Sequence, residues 1–453
     1  MRKYKLPSFI QKFGSVFHKH GYSCFLVGGA VRNMVLGHSP TDYDFATDAK
    51  PQEVMRIFNA VIPTGVKHGT VTVLFGDKQF EVTTFRVEGT YSNARHPDNI
   101  TFTSSLLEDL KRRDFTINSM ALPIGDGDLI DPHGGRKDLR KGLIRAIGEP
   151  SERFREDGLR LMRACRFSAQ LGFSIEKDTR SAMRSTVDTI RLVSAERIRD
   201  ELVKILKSDR PSIGLYAMED SELMKEILPE LNQCRGVRQG GVHKYDVFDH
   251  SLLSCDGAPQ SKPLVRLAAL LHDIGKAVTA SGNQEVGFSF YRHELVAEEK
   301  CHTIMRRLRF SRTEEALVSL LVRHHMFHYT EDWSDGAVRR FLAKVGPEHM
   351  EDLFDLRTAD QYGMQGIRPR FDTLGPLRGR ISSILAADDA LSLRDLAVNG
   401  HMLHDEADIP YGPDMGVVLE QLLETVIDDP GLNTKKKLLS IARNFYSRHI
   451  DSN

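Results

Sequence analysis

The stretch from Phe25 to Thr47, FLVGGAVRNMVLGHSPTDYDFAT, narrows the fold more than any other segment. An apolar run stops at two glycines, VRNMVLG follows at helical spacing, and TDYDFAT reads as a second strand. A strand that turns through Gly-Gly into a helix and returns as a strand begins an α/β layer. Asp42 and Asp44 stand at i and i+2. On a strand they share one face, with Cα atoms about 6.5–7 Å apart. Carboxylates so placed repel and raise each other's pKa, and they gain most when a divalent cation sits between them. Glu81, in QFEVTTFR, is the candidate third carboxylate on an adjacent strand. Gly28 and Gly29 can bring backbone N–H groups close to phosphate oxygens, and Arg32, in the first turn of the helix, can hold a triphosphate. The pattern predicts Mg²⁺ on Asp42 and Asp44, serving phosphoryl or nucleotidyl transfer.

At 453 residues the chain exceeds one core, and division by ~150 residues per domain suggests about three. Strand-like runs SCFLVGG, TDYDFAT, GTVTVLFG and QFEVTTFR, the last two joined by a turn after Gly76, predict a head with a small mixed sheet. Before them, Phe9, Ile10, Phe13, Val16 and Phe17 fall at helical spacing. The first 41 residues lack an acid, as transit peptides do, but the strand-like run beginning near residue 22 favours a basic amphipathic first helix. Beyond residue 140 the pattern is almost wholly helical, so the fold class is α+β. The expected domains are a head at 1–140, a helical neck at 141–240, a His/Asp-rich domain at 241–365 and a helical tail at 366–453.

Basic and acidic residues balance at 62 each, so a nucleic-acid partner must be sought locally. Residues 136–210 carry 19 Lys/Arg against 12 Asp/Glu, a local excess of seven. The five cysteines lack C-x-x-C spacing, which disfavours a zinc-thiolate site or a disulfide framework and fits a reducing cytoplasm. No apolar run approaches 18 residues, so no membrane span is expected. Nothing in the sequence sets an oligomeric state.

These residues carry a resemblance. LVGGAVRNMVLG…TDYDFAT, LKRRDFTINSMAL (110–122), EDGLRLMRACRFSAQLGF (156–173) and SAERIRDEL (194–202), in that order, resemble the signatures of class II tRNA CCA-adding enzymes and bacterial poly(A) polymerases. Residues 396–426 resemble the tails of the CCA-adding branch. The resemblance implies that this chain adds C, C and A to tRNA 3′ ends from CTP and ATP. Asp157 and Arg160 would then read the incoming base, while Arg113, Arg163 and Arg166 would contact phosphates. Read as one helix, Glu156, Asp157, Arg160 and Arg163 share a side. A fixed Asp–Arg pair accepts the amine and ring nitrogen of C or A and rejects G and U. Two departures stand out: Asn33 replaces the family's usual aspartate, and Lys111 replaces a common arginine.

PTGVKHGTVTVLF (63–75) lacks the basic stretch of the poly(A) polymerases, and RVEGTYSNARHPDNITF (86–102), with Arg95, His96 and Pro97, fills the loop that CC-only adders lose. Both features favour complete CCA addition over poly(A) synthesis or partial addition. His250, the doublet His272-Asp273 and Asp360 resemble the HD phosphohydrolase signature, with His293 and His324/His325 as candidates for a second ion. Such ligands suit a transition metal such as Ni²⁺, Mn²⁺ or Co²⁺. An HD phosphohydrolase with an RNA-binding head is the reading from another class.

Overall fold

Ile10, Phe13 and Phe17 line up on one side of helix α1 (Ser8–Lys19) and are fully buried. The structure is a computed structural model and describes residues 4–89, 100–283, 287–368, 372–387 and 391–450. The chain divides into two units, Met1–Arg235 with Thr303–Ser311, and Gly236–His302 with Arg312–Asn453.

The first unit holds a six-stranded mixed sheet. Its strands are β1 (Cys24–Val27), β2 (Asp44–Thr47), β3 (Val61–Gly65), β4 (Thr70–Phe75), β5 (Lys78–Thr84) and β6 (Ala121–Pro123), in the order β3-β4-β5-β2-β1-β6. β2 and β5 run parallel, and the other neighbours run antiparallel. The β4–β5 turn passes through Gly76 at φ +65°, a left-handed conformation that costs glycine little. The core under the sheet is aromatic. Phe13 packs against Phe45, Phe80 and Phe58 with ring centroids 4.6, 4.8 and 5.0 Å away. Truncating so buried a ring to alanine costs roughly 3–5 kcal/mol. A Cβ on Gly14 would come 2.3 Å from the Ile124 side chain, so glycine lets α1 approach that closely.

The strand expected over TDYDFAT is shorter than the sequence suggests. β1 pairs with β2 from Cys24↔Thr47 to Val27↔Asp44, and at Gly28 the chain turns into helix α2 (Gly28–Leu36). No ladder partner remains for Asp42, which lies exposed in the bend before β2. The stretch after β6 is mainly helical. α3 (Pro150–Glu156), α4 (Leu159–Leu171) and α5 (Ala195–Leu206) carry most of the charged residues discussed below.

The second unit is helical apart from one hairpin, Ala280–Asn283 with Gly287–Phe290, among the described residues. Helices α6 (Val247–Gly257), α7 (Pro263–Leu271), α8 (Arg312–His324) and α9 (Met350–Gln365) pack together. A separate apolar cluster around Leu403, Val418, Leu422, Val426 and Leu438 ties together the last three helices. Among the described residues, no helix is long and apolar enough to cross a membrane. All five cysteines are buried thiols.

Candidate active site

Strand register places the first two carboxylates. Asp44 and Glu81 are paired residues on the parallel strands β2 and β5, so they stand side by side on one face. Restricted access to solvent raises the Asp44 carboxyl above its ordinary value, Arg113 draws it down, and Asp42 raises it again. Glu81 is raised by the same loss of solvent and by Asp44. Asp42 is therefore close enough to act on Asp44, although it sits in the bend rather than on the strand face. Three acids that crowd one another, two of them pushed toward protonation, form a donor set that suits a hard divalent cation.

Gly28 opens α2 at φ +65°, and a Cβ there would lie 3.6 Å from both Arg113 Nη1 and Asp44 Oδ2. Backbone at this point thus comes close to the acids and to an arginine. Carboxylates, glycines and arginines line one cavity of about 1420 Å³, which holds Gly28, Gly29, Arg32, Asp42, Asp44, Glu81, Arg113, Asp157, Arg160, Arg163 and Arg166. All the proposed head and neck residues therefore share a site.

The arginine wall differs from the sequence expectation in one respect. Residues 156–173 do not form one helix: α3 ends at Glu156, Asp157 is extended at φ −144° and ψ 104°, and α4 begins at Leu159. Gly158 is already helical at φ −57° and ψ −21°, and a Cβ there would collide with the Thr189 carbonyl at 2.5 Å, so only glycine fits beside the break. Asp157 and Arg160 do not pair with each other as Glu156 and Arg160 do. Asp157 Oδ1 accepts from the Leu159 backbone N–H at 3.1 Å, and Oδ2 from Arg197 Nη2 at 2.9 Å. Arg160 donates through Nη1 to Glu156 Oε2 at 2.5 Å and to the Arg153 carbonyl at 2.9 Å, and through Nη2 to the Arg112 carbonyl at 3.1 Å. Both side chains are thereby oriented before any nucleotide arrives.

Sequence reasoning missed most of the acids that hold this wall. Asp114 takes Arg163 Nε at 2.7 Å, Glu201 takes Arg166 Nη1 at 2.9 Å, and Asp109 takes Arg112 and Arg113. Burial raises the Asp114 carboxyl, but Arg163 and the Asn118 amide outweigh it and bring the pKa down to about 2. Asp109 and Asp114 flank the cations of DLKRRD, a charge alternation that could have signalled these pairs; Glu201 lies 35 residues from Arg166 and gave no local signal.

The second unit carries a further cluster. His250 on α6, His272 and Asp273 just after α7, and Asp360 on α9 meet in the interior. His250 Nε2 lies 3.3 Å from Asp273 Oδ2 and 3.2 Å from Asp360 Oδ1, and His272 Nε2 lies 3.2 Å from Asp273 Oδ2. On the other side of the same carboxylate, Asp273 Oδ1 is 3.2 Å from His293 Nε2 and 3.7 Å from His325 Nε2. Two ligand groups thus share Asp273: His250–His272–Asp273 and Asp273–His293–His325. Of the doublet, His325 belongs to this cluster; His324 is in neither group. Nδ1–H of His272, His293 and His325 donates to the carbonyls of Ala269, Phe290 and Val322 at 2.8, 2.9 and 2.7 Å. Those bonds turn Nε2 toward Asp273 in each ring. Burial lowers His272, yet Asp273 and Asp360 more than reverse this and push it up to about 10. Arg95, His96 and Pro97 fall outside the described residues.

Fold and site together define a nucleotidyltransferase head joined to an HD domain. Residues 24–145 match the family model described as poly A polymerase head domain, 172–234 the probable RNA and SrmB-binding site of polymerase A, and 241–362 the HD domain. The chain is 33% identical over 430 residues to the CCA-adding enzyme of Lactobacillus johnsonii, with 90% of each chain covered. It is 46% identical over 222 residues to that of Geobacillus thermodenitrificans, covering 49% of this chain and 53% of that protein. The crystal structure of the Bacillus stearothermophilus CCA-adding enzyme in complex with CTP superposes with a TM-score of 0.75 at 26% identity, covering 99% of this chain and 100% of that one. The chain belongs to the CCA-adding enzyme family.

Proposed function

We propose that this chain adds C, C and then A to tRNA 3′ ends, using CTP and ATP and releasing pyrophosphate. The observation that carries this reading is the single cavity that gathers the three acids, the Gly28–Gly29 turn and the arginine wall. Asp42 and Asp44 would hold Mg²⁺, with Glu81 as the third carboxylate. Mg²⁺ bound there would lower the pKa of the RNA 3′-hydroxyl and offset charge on the phosphates. Arg32, Arg113, Arg163 and Arg166 offer guanidinium groups to the phosphates, and the backbone N–H groups of Gly28 and Gly29 offer further donors. Asp157 and Arg160, each fixed by its own partners, present an acceptor and a donor to the base edge. A wrong base leaves polar groups unpaired at roughly 1–3 kcal/mol per contact. The RNA is gripped through backbone and shape, since every tRNA must be accepted. The buried thiols fit work in the cytoplasm.

The test is direct. Purified protein is given tRNA ending at the discriminator base with CTP, ATP or both, and the products are sequenced. Expected ends are CC with CTP alone and CCA with both; a poly(A) run, or arrest at CC with both present, refutes the reading.

The cluster around Asp273 favours an added activity: hydrolysis of phosphate monoesters or cyclic phosphates with Ni²⁺, Mn²⁺ or Co²⁺ bound. Assays with p-nitrophenyl phosphate and 2′,3′-cyclic AMP check it. No turnover, or turnover unaffected by His272→Ala, removes the idea.

A further inference from the structure

Six arginines lining the head cavity are each paired with a carboxylate. Arg112 and Arg113 share Asp109, Arg160 has Glu156, Arg163 has Asp114, Arg166 has Glu201 and Arg197 has Asp157. Arg32 is different. Among the described residues its partners are all neutral: Nε and Nη2 donate to Asn33 Oδ1 at 3.3 and 3.2 Å, and Nη1 donates to Asn118 Oδ1 at 2.9 Å. Its guanidinium also lies 5.3 Å from the centroid of the Phe167 ring. Asn118 cannot easily turn its amide, because its Nδ2 donates to Asp114 Oδ1 at 3.2 Å. Arg32 is thus held by neutral amides that fix its position, and Asp114, itself bonded to Arg163 and Asn118, acts on its charge only through space.

An arginine paired with a carboxylate has part of its charge offset before a phosphate arrives; one held by amides does not. We propose that Asn33 is an affinity-setting residue: it positions Arg32 through a neutral amide and so reserves that arginine's charge for the nucleoside triphosphate. This inference rests on the nucleotide-binding reading of the cavity. Asn33 acts through Arg32 and is a positioning residue.

The isosteric change Asn33→Asp keeps the shape and puts a negative charge where Oδ1 now accepts both N–H groups. The dissociation constant for CTP is expected to rise about tenfold, as is KM with tRNA as acceptor, while kcat at saturating CTP stays within about twofold. Asn33→Leu removes the two hydrogen bonds without adding charge and is expected to raise the constant only about threefold. Near-UV circular dichroism of each variant reports the fold. If Asn33→Asp binds CTP no more weakly than Asn33→Leu, or if kcat falls while KM holds, the inference is overturned and nucleotide binding stands. A wild-type chain that binds no CTP overturns both.

Discussion

Asp114→Asn removes the acid that holds Arg163 and tests how far the arginine wall depends on its buried partners. The Asp114 carboxyl is brought from 3.8 to about 2 in the folded chain, a drop of roughly two units. At about 1.4 kcal/mol per unit this contributes about 2–3 kcal/mol of stability. Because the folded pKa is the depressed one, the contribution is complete above the unfolded value near pH 4. It falls to roughly half by pH 3 and vanishes as pH passes below 2. In a chain of two units, a local probe is needed. Met162, fully buried beside Arg163 on α4, reports opening of this segment through its oxidation by peroxide as urea is raised. The variant is expected to open at lower urea at pH 7, equivalent to about 2–3 kcal/mol, and the gap to the wild type is expected to shrink at pH 3. A gap below about 0.5 kcal/mol at pH 7, or one unchanged at pH 3, would refute the assignment of this energy to the ionised pair.

Three further outcomes follow from the same geometry. Arg197→Met frees Asp157 from its one ion pair among the described residues, so CTP addition is expected to fall about tenfold, with UTP and GTP misincorporation rising in a competition assay. Asp44→Asn relieves a carboxyl that its surroundings push toward protonation, so without metal the melting temperature should hold or rise; a marked fall would contradict the crowded-acid description. Because Asp273 is shared by both ligand groups, calorimetric titration with Mn²⁺ in an Asp42→Ala/Asp44→Ala background, which removes the head site, should find two ions, one when His293→Ala is added and none when Asp273→Asn is added.

The head was largely legible because its chemistry is local. Gly28, Gly29, Arg32 and the Asp42/Asp44 pair lie within one stretch of chain, and a period of two or of 3.6 tells which side chains share a face. The place of Asp42 was not legible: the length of β2 is set by where β1 stops pairing, a fact about another segment. The break at Asp157 was not legible either, since it interrupts a periodicity that continues on both sides of it and Asp157 is held by Arg197, 40 positions away. Ion pairs such as Arg166–Glu201 and Arg163–Asp114 join residues 35 and 49 positions apart, beyond any helical spacing. In the second unit, the residue types gave the ligand candidates in order. Only the fold could choose His325 over His324, since His324 ends α8 and His325 lies in the turn just past it.

The account stands most directly on incorporation of labelled CTP into tRNA lacking its terminal CCA by the Asp42→Ala/Asp44→Ala variant, beside wild type in Mg²⁺. It predicts a loss of at least about a thousandfold in rate, with the fold intact by circular dichroism. Incorporation persisting near the wild-type rate would contradict it.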